Sequence, residues 1–210
     1  MTLKKQIFII ISIVFLLSSC KKMDNKDIEY VVVEKSFSTA SSLVDWTEST
    51  ETGYQRTKTI NGINFNLFYK PINYLKANQI VKNQNIFEYD SMILYFEFKI
   101  YQKAEKNQDF LSINLKDKNQ YTDRMNHCIF SNGKDFSLTQ DKMEFNPLIF
   151  HFERTYGLGN GGKFILGFDK SILDLNKEFT ITYNDQLFSC GVINYYYDKS
   201  YLKTQPILKS

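Results

Sequence analysis

Two histidines, three cysteines and a scatter of carboxylates are the reactive side chains of this 210-residue chain. His127 precedes Cys128, the pairing a thiol nucleophile and its base would need. A base must lie within about 3 Å of its nucleophile, and adjacent residues of a strand face opposite sides. His127 and His151 have no companions at zinc-ligand spacing, since a structural site takes three or four ligands, so both read as structural or surface residues. Glu97, Glu153 and Asp169 lie in or beside alternating segments. A glycosidase would need two such carboxylates about 5 Å apart, or more than 6 Å, whereas outward carboxylates on strands are ordinarily solvated. Gly157, Gly159 and Gly162 satisfy a G-x-G-x-x-G spacing. A dinucleotide site needs a helix after the last glycine, but residues 163–168 alternate like a strand. A hairpin tip is the better reading. No cofactor, metal or catalytic residue is expected.

Aromatic side chains are the better functional hints. The chain holds 18 Phe, 14 Tyr and one Trp, 16% of all residues. Trp46 and the run Tyr195, Tyr196, Tyr197 are candidates for recognition, because such rings stack on sugars and dominate interface hot spots. Alternate tyrosines on a strand also serve as core. Trp46 sits in a Ser/Thr-rich stretch, residues 38–59, that reads as a mobile loop and so exposes the ring.

The first twenty residues carry the firmest signal. Lys4 and Lys5 precede an apolar run, residues 7–17, and then Leu17-Ser18-Ser19-Cys20. A basic start, a short apolar core and small residues before the cut make a secretory signal. Eleven residues span about 16 Å as a helix, half of a ~30 Å hydrocarbon core, too short for a retained membrane helix. The Leu-Ser-Ser-Cys stretch resembles the lipobox of the bacterial lipoprotein class; an ordinary signal peptide with a chance cysteine is the alternative. The resemblance implies cleavage after Ser19 (signal peptide 1–19), and diacylglyceryl transfer and acylation at Cys20. Two or three acyl chains would hold the protein on the membrane almost permanently. Residues 20–27 form a polar, lipidated tether. Lys21 stands where an aspartate retains many lipoproteins in the inner membrane, so the resemblance favours the outer membrane. Which face of that membrane carries the protein stays open.

In the exported compartment Cys128 and Cys190 can pair in a disulfide. Closing a loop of about 60 residues would stabilise by roughly 4 kcal/mol if unstrained. Two independently buried thiols fit the sequence equally well.

Residues 28–210 are long enough for one domain with a full core. Period-two alternation marks strands at Ile63/Phe65/Leu67/Tyr69, Met92/Leu94/Phe96/Phe98/Ile100, Leu148/Phe150/Phe152, Phe164/Leu166/Phe168, Phe179/Ile181/Tyr183 and around residues 192–197. Residues 28–33 read as a first strand. Asn61-Gly62, Asn132-Gly133, Asn160-Gly161-Gly162 and Asn184-Asp185 supply turns, and residues 154–163 read as a hairpin loop. Residues 71–77 look helical, with Pro71 in the first turn and Tyr74, Ala77 and Val81 on one face. Residues 171–175 suggest one helical turn, and 119–130 fit helix or strand. The pattern predicts a mainly β fold, a single antiparallel two-sheet sandwich with one or two short helices; a closed or partly open barrel is the rival.

The formal net charge of +3 falls by the two charges of Lys4 and Lys5 on cleavage. A nearly neutral domain gives no electrostatic case for nucleic acid. The expectation is a lipid-anchored, non-catalytic binding module for an envelope protein or polysaccharide. The alternatives are an exported hydrolase with an unrecognised site and a structural subunit of a surface-assembly machine.

Overall fold

The computed structural model describes residues 33–85, 87–102, 109–131, 133–154 and 161–209. The leader, Cys20, the tether and residues 28–32 of the strand expected at 28–33 lie outside the described residues, as do Gly157 and Gly159.

Apolar alternation on the long strands builds one face of a five-stranded antiparallel sheet. Its members are β2 (Gln55–Ile60), β3 (Ile63–Lys70), β4 (Ile93–Gln102), β7 (Ile149–Glu153) and β8 (Gly162–Asp169), in the order β2-β3-β4-β8-β7. Asn61 and Gly62 both have positive φ, 52° and 77°, and close the β2–β3 hairpin in two residues, as the twist of a tight hairpin demands. A second antiparallel sheet holds β5 (Phe136–Gln140), β6 (Met143–Phe145), β9 (Phe179–Asp185) and β10 (Gly191–Tyr197), in the order β10-β9-β5-β6. The inner faces pack as a sandwich, and neither sheet closes on itself among the described strands.

Register puts Leu67, Phe98 and Phe164 in one row, with Tyr69, Phe96 and Leu166 in the next. Phe98 is fully buried at the centre of the core. Its ring centroid lies 4.7 Å from Tyr183 and 5.1 Å from Phe136, across the gap between the sheets. Such tilted and edge-on pairs add to the burial of large rings, which already dominates core energetics.

The helices depart from the expectation. Among the described residues there are four: α1 (Ala40–Glu48), α2 (Ile72–Val81), α3 (Lys118–Phe130) and the short α4 (Ser200–Lys203). The expected mobile loop at 38–59 is instead α1, a 3-10 turn and β2. Thr39 caps α1 by accepting from Ser42 N at 3.1 Å, and Ser49 ends it. Residues 119–130 are helical, with Asp117 as N-cap accepting from Gln120 N at 2.9 Å. On α2 the buried residues are Tyr74, Leu75, Ala77 and Gln79, while Val81 is exposed. The expected turn at 171–175 is a 3-10 turn at Lys170–Ile172. A small parallel pair joins β1 (Val33–Phe37) to β11 (Thr204–Leu208), so the fold is not wholly antiparallel. Helices α1 and α2 pack on each other and on β11.

Candidate functional site

The end of α1, the turn after it and the C-terminal segment enclose a recess of about 430 Å³. Helix α1 brings Trp46, the 3-10 turn Thr50–Thr52 brings Glu51 and Thr52, and α4 brings Ser200 and Tyr201. Tyr54 forms the floor. Its ring meets Trp46 edge-on at 5.7 Å and Tyr201 at 6.4 Å, and its hydroxyl donates to the Thr204 carbonyl at 2.5 Å. Trp46 is half-buried, held by Phe37 at 5.3 Å and by the Lys35 ammonium 4.6 Å from its ring. Gly53 has φ +70°, and a Cβ there would stand 2.5 Å from the Tyr201 ring. Only glycine takes that conformation easily, and its bare backbone lets Tyr201 lie against the turn. The Arg56 guanidinium supports the wall from behind, 4.8 Å from both the Tyr197 and Tyr201 rings. The recess is lined by aromatic rings, by Ser49, Thr52, Ser200 and Thr204, and by Glu51; the Ser49 hydroxyl accepts from Glu51 N at 3.3 Å and the Thr52 hydroxyl donates to the Ser49 carbonyl at 2.7 Å.

The tyrosine run behaves differently from the expectation. Tyr195 and Tyr197 point inward and are buried to 1% and 0% exposure. They are core residues, not exposed recognition aromatics. The Tyr195 hydroxyl donates to the Phe65 carbonyl at 2.9 Å, and Tyr197 stacks on Phe179 at 5.2 Å. Tyr196 points the other way, with Val192 and Asn194, and is half exposed on the far face of the four-stranded sheet. Period-two geometry decides this, because neighbouring strand residues cannot share a face. Trp46 alone of the four borders the recess, and Tyr201 beside it carried no signal in the sequence.

Cys128 and Cys190 are both free thiols, so the disulfide is corrected to two separate cysteines. Cys128 is buried on α3, and burial, aided by Asp135 and Asp109, pushes its pKa up to about 12. Cys190 sits in the turn before β10, where Asp185 accepts from its backbone N–H at 2.8 Å. His127 turns to Asp135, with Nε2 2.6 Å from Oδ2 in a hydrogen bond. Among the described residues no group of three or more His, Cys, Asp or Glu could hold a metal.

Of the three carboxylates, Asp169 caps the following 3-10 turn by accepting from Ser171 N at 2.8 Å. Glu97 and Glu153 are joined through one cation: Lys163 Nζ lies 3.3 Å from Glu97 and 2.7 Å from Glu153. Glu97 also meets Lys70, and Lys99 at 3.0 Å. Burial alone would raise the Glu97 pKa, but Lys70, Lys99 and Lys163 together hold the carboxyl at about 2. Such a group stays ionised at neutral pH and has no proton to give as a general acid.

No family model and no curated protein matches the chain. Among solved structures, it is similar to a DUF4426 family protein from Pseudomonas aeruginosa PAO1, at 8% identity and a TM-score of 0.37. The match covers 70% of this chain and 94% of that one. A likeness at that level carries no functional argument.

Proposed function

We propose that this chain is a lipid-anchored, non-catalytic binding module of the cell envelope, and that its recess binds a neutral saccharide segment of an envelope polysaccharide. The observation that carries this reading is the recess itself, in which Trp46 and Tyr201 stand beside four hydroxyl side chains. Ring faces and edges take up the apolar C–H surface of a sugar, and hydroxyls exchange hydrogen bonds with its oxygens. Anchoring through Cys20 rests on the Leu-Ser-Ser-Cys stretch and would hold the recess close to polymers of the envelope.

A photo-cross-linking residue placed at Ser200, on the rim, tests the reading in intact envelopes. The expected product is an adduct with polysaccharide, above the yield from the same group at Lys142 on the β5–β6 turn. Equal yields at both positions would contradict the reading, and an adduct with protein alone would replace the saccharide by an envelope protein.

A further inference from the structure

We infer that the outer face of the five-stranded sheet carries a second binding site, built for a single anionic group such as a carboxylate, sulfate or phosphate. This goes beyond the saccharide recess and stands without it. The site is a polar pocket of about 200 Å³. Its floor lies on the three central strands: Lys70 on β3, Glu97 and Lys99 on β4, and Lys163 on β8. Tyr74 and Asn78 from α2, Lys82 at its C-terminal cap and Glu48 from the end of α1 stand around it. By liquid volume the pocket equals roughly seven waters, enough for an oxyanion and the atoms that carry it.

Register makes the arrangement costly unless something else is bound. Lys99 and Lys163 are direct cross-strand partners, and like charges placed so repel. Glu97 offers two oxygens to three ammonium groups, and Glu48 is already engaged by the Tyr74 hydroxyl at 2.7 Å. Glu153, beside the pocket, takes Lys163 at 2.7 Å, so four lysines face three carboxylates in all. Each ammonium brings three N–H donors, so donors outnumber the oxygens that receive them. Glu97 and Lys70 show only 6% and 12% of their side chains to solvent. A purely structural role is a weak explanation, because a buried ion cluster in mid-sheet is often no more stable than apolar residues of similar size. Burial also lowers the Lys70 pKa, against the pull of Glu97 and with the help of Lys163 and Lys99. An added anion relieves both the repulsion and the missing acceptors.

The test is calorimetric titration of the mature lipidated protein in detergent with sulfate, phosphate and glucuronate, and with glucose as the uncharged control. Saturable binding of glucuronate identifies an acidic sugar as the natural source. Binding of sulfate or phosphate alone identifies a free oxyanion or its ester. Lys99, 43% exposed at the pocket mouth, is the variant that keeps the fold. Lys99→Met should weaken binding about fivefold or more, and Glu97→Gln, which removes the competing carboxylate, should strengthen it by a similar factor. A structural cluster would give neither change. Absence of saturable binding by all three anions, or equal affinity in wild type and Lys99→Met, overturns the inference.

Discussion

Acid should remove a defined part of the stability of this protein through Glu97. Its pKa in the folded state is about 2 against 4.5 when free. The folded value is depressed, so the contribution is present above pH 4.5 and is lost as pH falls towards 2. A difference of 2.5 pKa units corresponds to about 3 kcal/mol at neutral pH and, by proton linkage, to roughly 1 kcal/mol at about pH 2.5. Lys70 pulls the other way, since burial lowers its pKa in spite of Glu97. The whole cluster therefore contributes less than Glu97 alone suggests, and 3 kcal/mol is an upper figure. Glu97→Gln removes the titrating group and leaves the lysines unneutralised, which costs about 3 kcal/mol when a buried pair is broken. In urea denaturation near neutral pH the midpoint should fall by roughly 1–2 M. Repeated at about pH 2.5, the gap between wild type and variant should shrink to a third or so. A gap that keeps its size at both pH values, or a variant as stable as wild type near pH 6, would refute the assignment of the depressed pKa to the lysine cluster.

Three further outcomes are expected. Cys20→Ser should abolish incorporation of a tagged fatty acid, because a hydroxyl cannot replace the thiol as acceptor; equal label in both proteins would remove the anchor. Alkylation of denatured, non-reduced protein should capture both Cys128 and Cys190, and in the folded protein Cys190 should react first, since Cys128 is buried with its pKa pushed to about 12; failure to alkylate either thiol before reduction would restore the disulfide. Phe98→Ala should destabilise by about 3–5 kcal/mol, because its ring bridges the sheets and leaves a cavity; a loss below about 1 kcal/mol in chemical denaturation would show that Phe98 is not the keystone of the core.

The sheets were legible where one face is buried and the strand is long. Leu94, Phe96, Phe98 and Ile100 alternate cleanly because β4 is a central strand with neighbours on both edges. Helix α1 was harder because its Ser and Thr residues read as a loop although Thr39 and Ser49 are its caps, and for α3 the sequence fitted helix and strand alike. The signal for α3 was present, since Asp117 and Gln120 stand at capping-box spacing: Asp117 makes the cap bond, while Gln120 reaches one residue further back and accepts from Lys116 N at 2.9 Å. The tyrosine run had the right period but no phase. Which of Tyr195, Tyr196 and Tyr197 faces outward depends on the pairing of β10 with β9, which places Tyr195 opposite Ile181 on the core side. Both sites needed long-range information. Trp46 and Tyr201 come to border one recess, each against Tyr54, only after the chain returns to lay β11 beside β1, and Lys70, Glu97, Lys99 and Lys163 converge only through the register of β3, β4 and β8.

Trp46 is the sole tryptophan of the chain and borders the proposed saccharide recess, so its fluorescence reports directly on occupancy. Titration of the purified protein with neutral envelope oligosaccharides should give a saturable change in emission. Loss of the other lining ring in Tyr201→Ala should weaken that binding about thirtyfold, the equivalent of a 2 kcal/mol hot spot. Emission that stays constant across the oligosaccharides, or an affinity that Tyr201→Ala leaves unchanged, would contradict the assignment of this recess as the binding site.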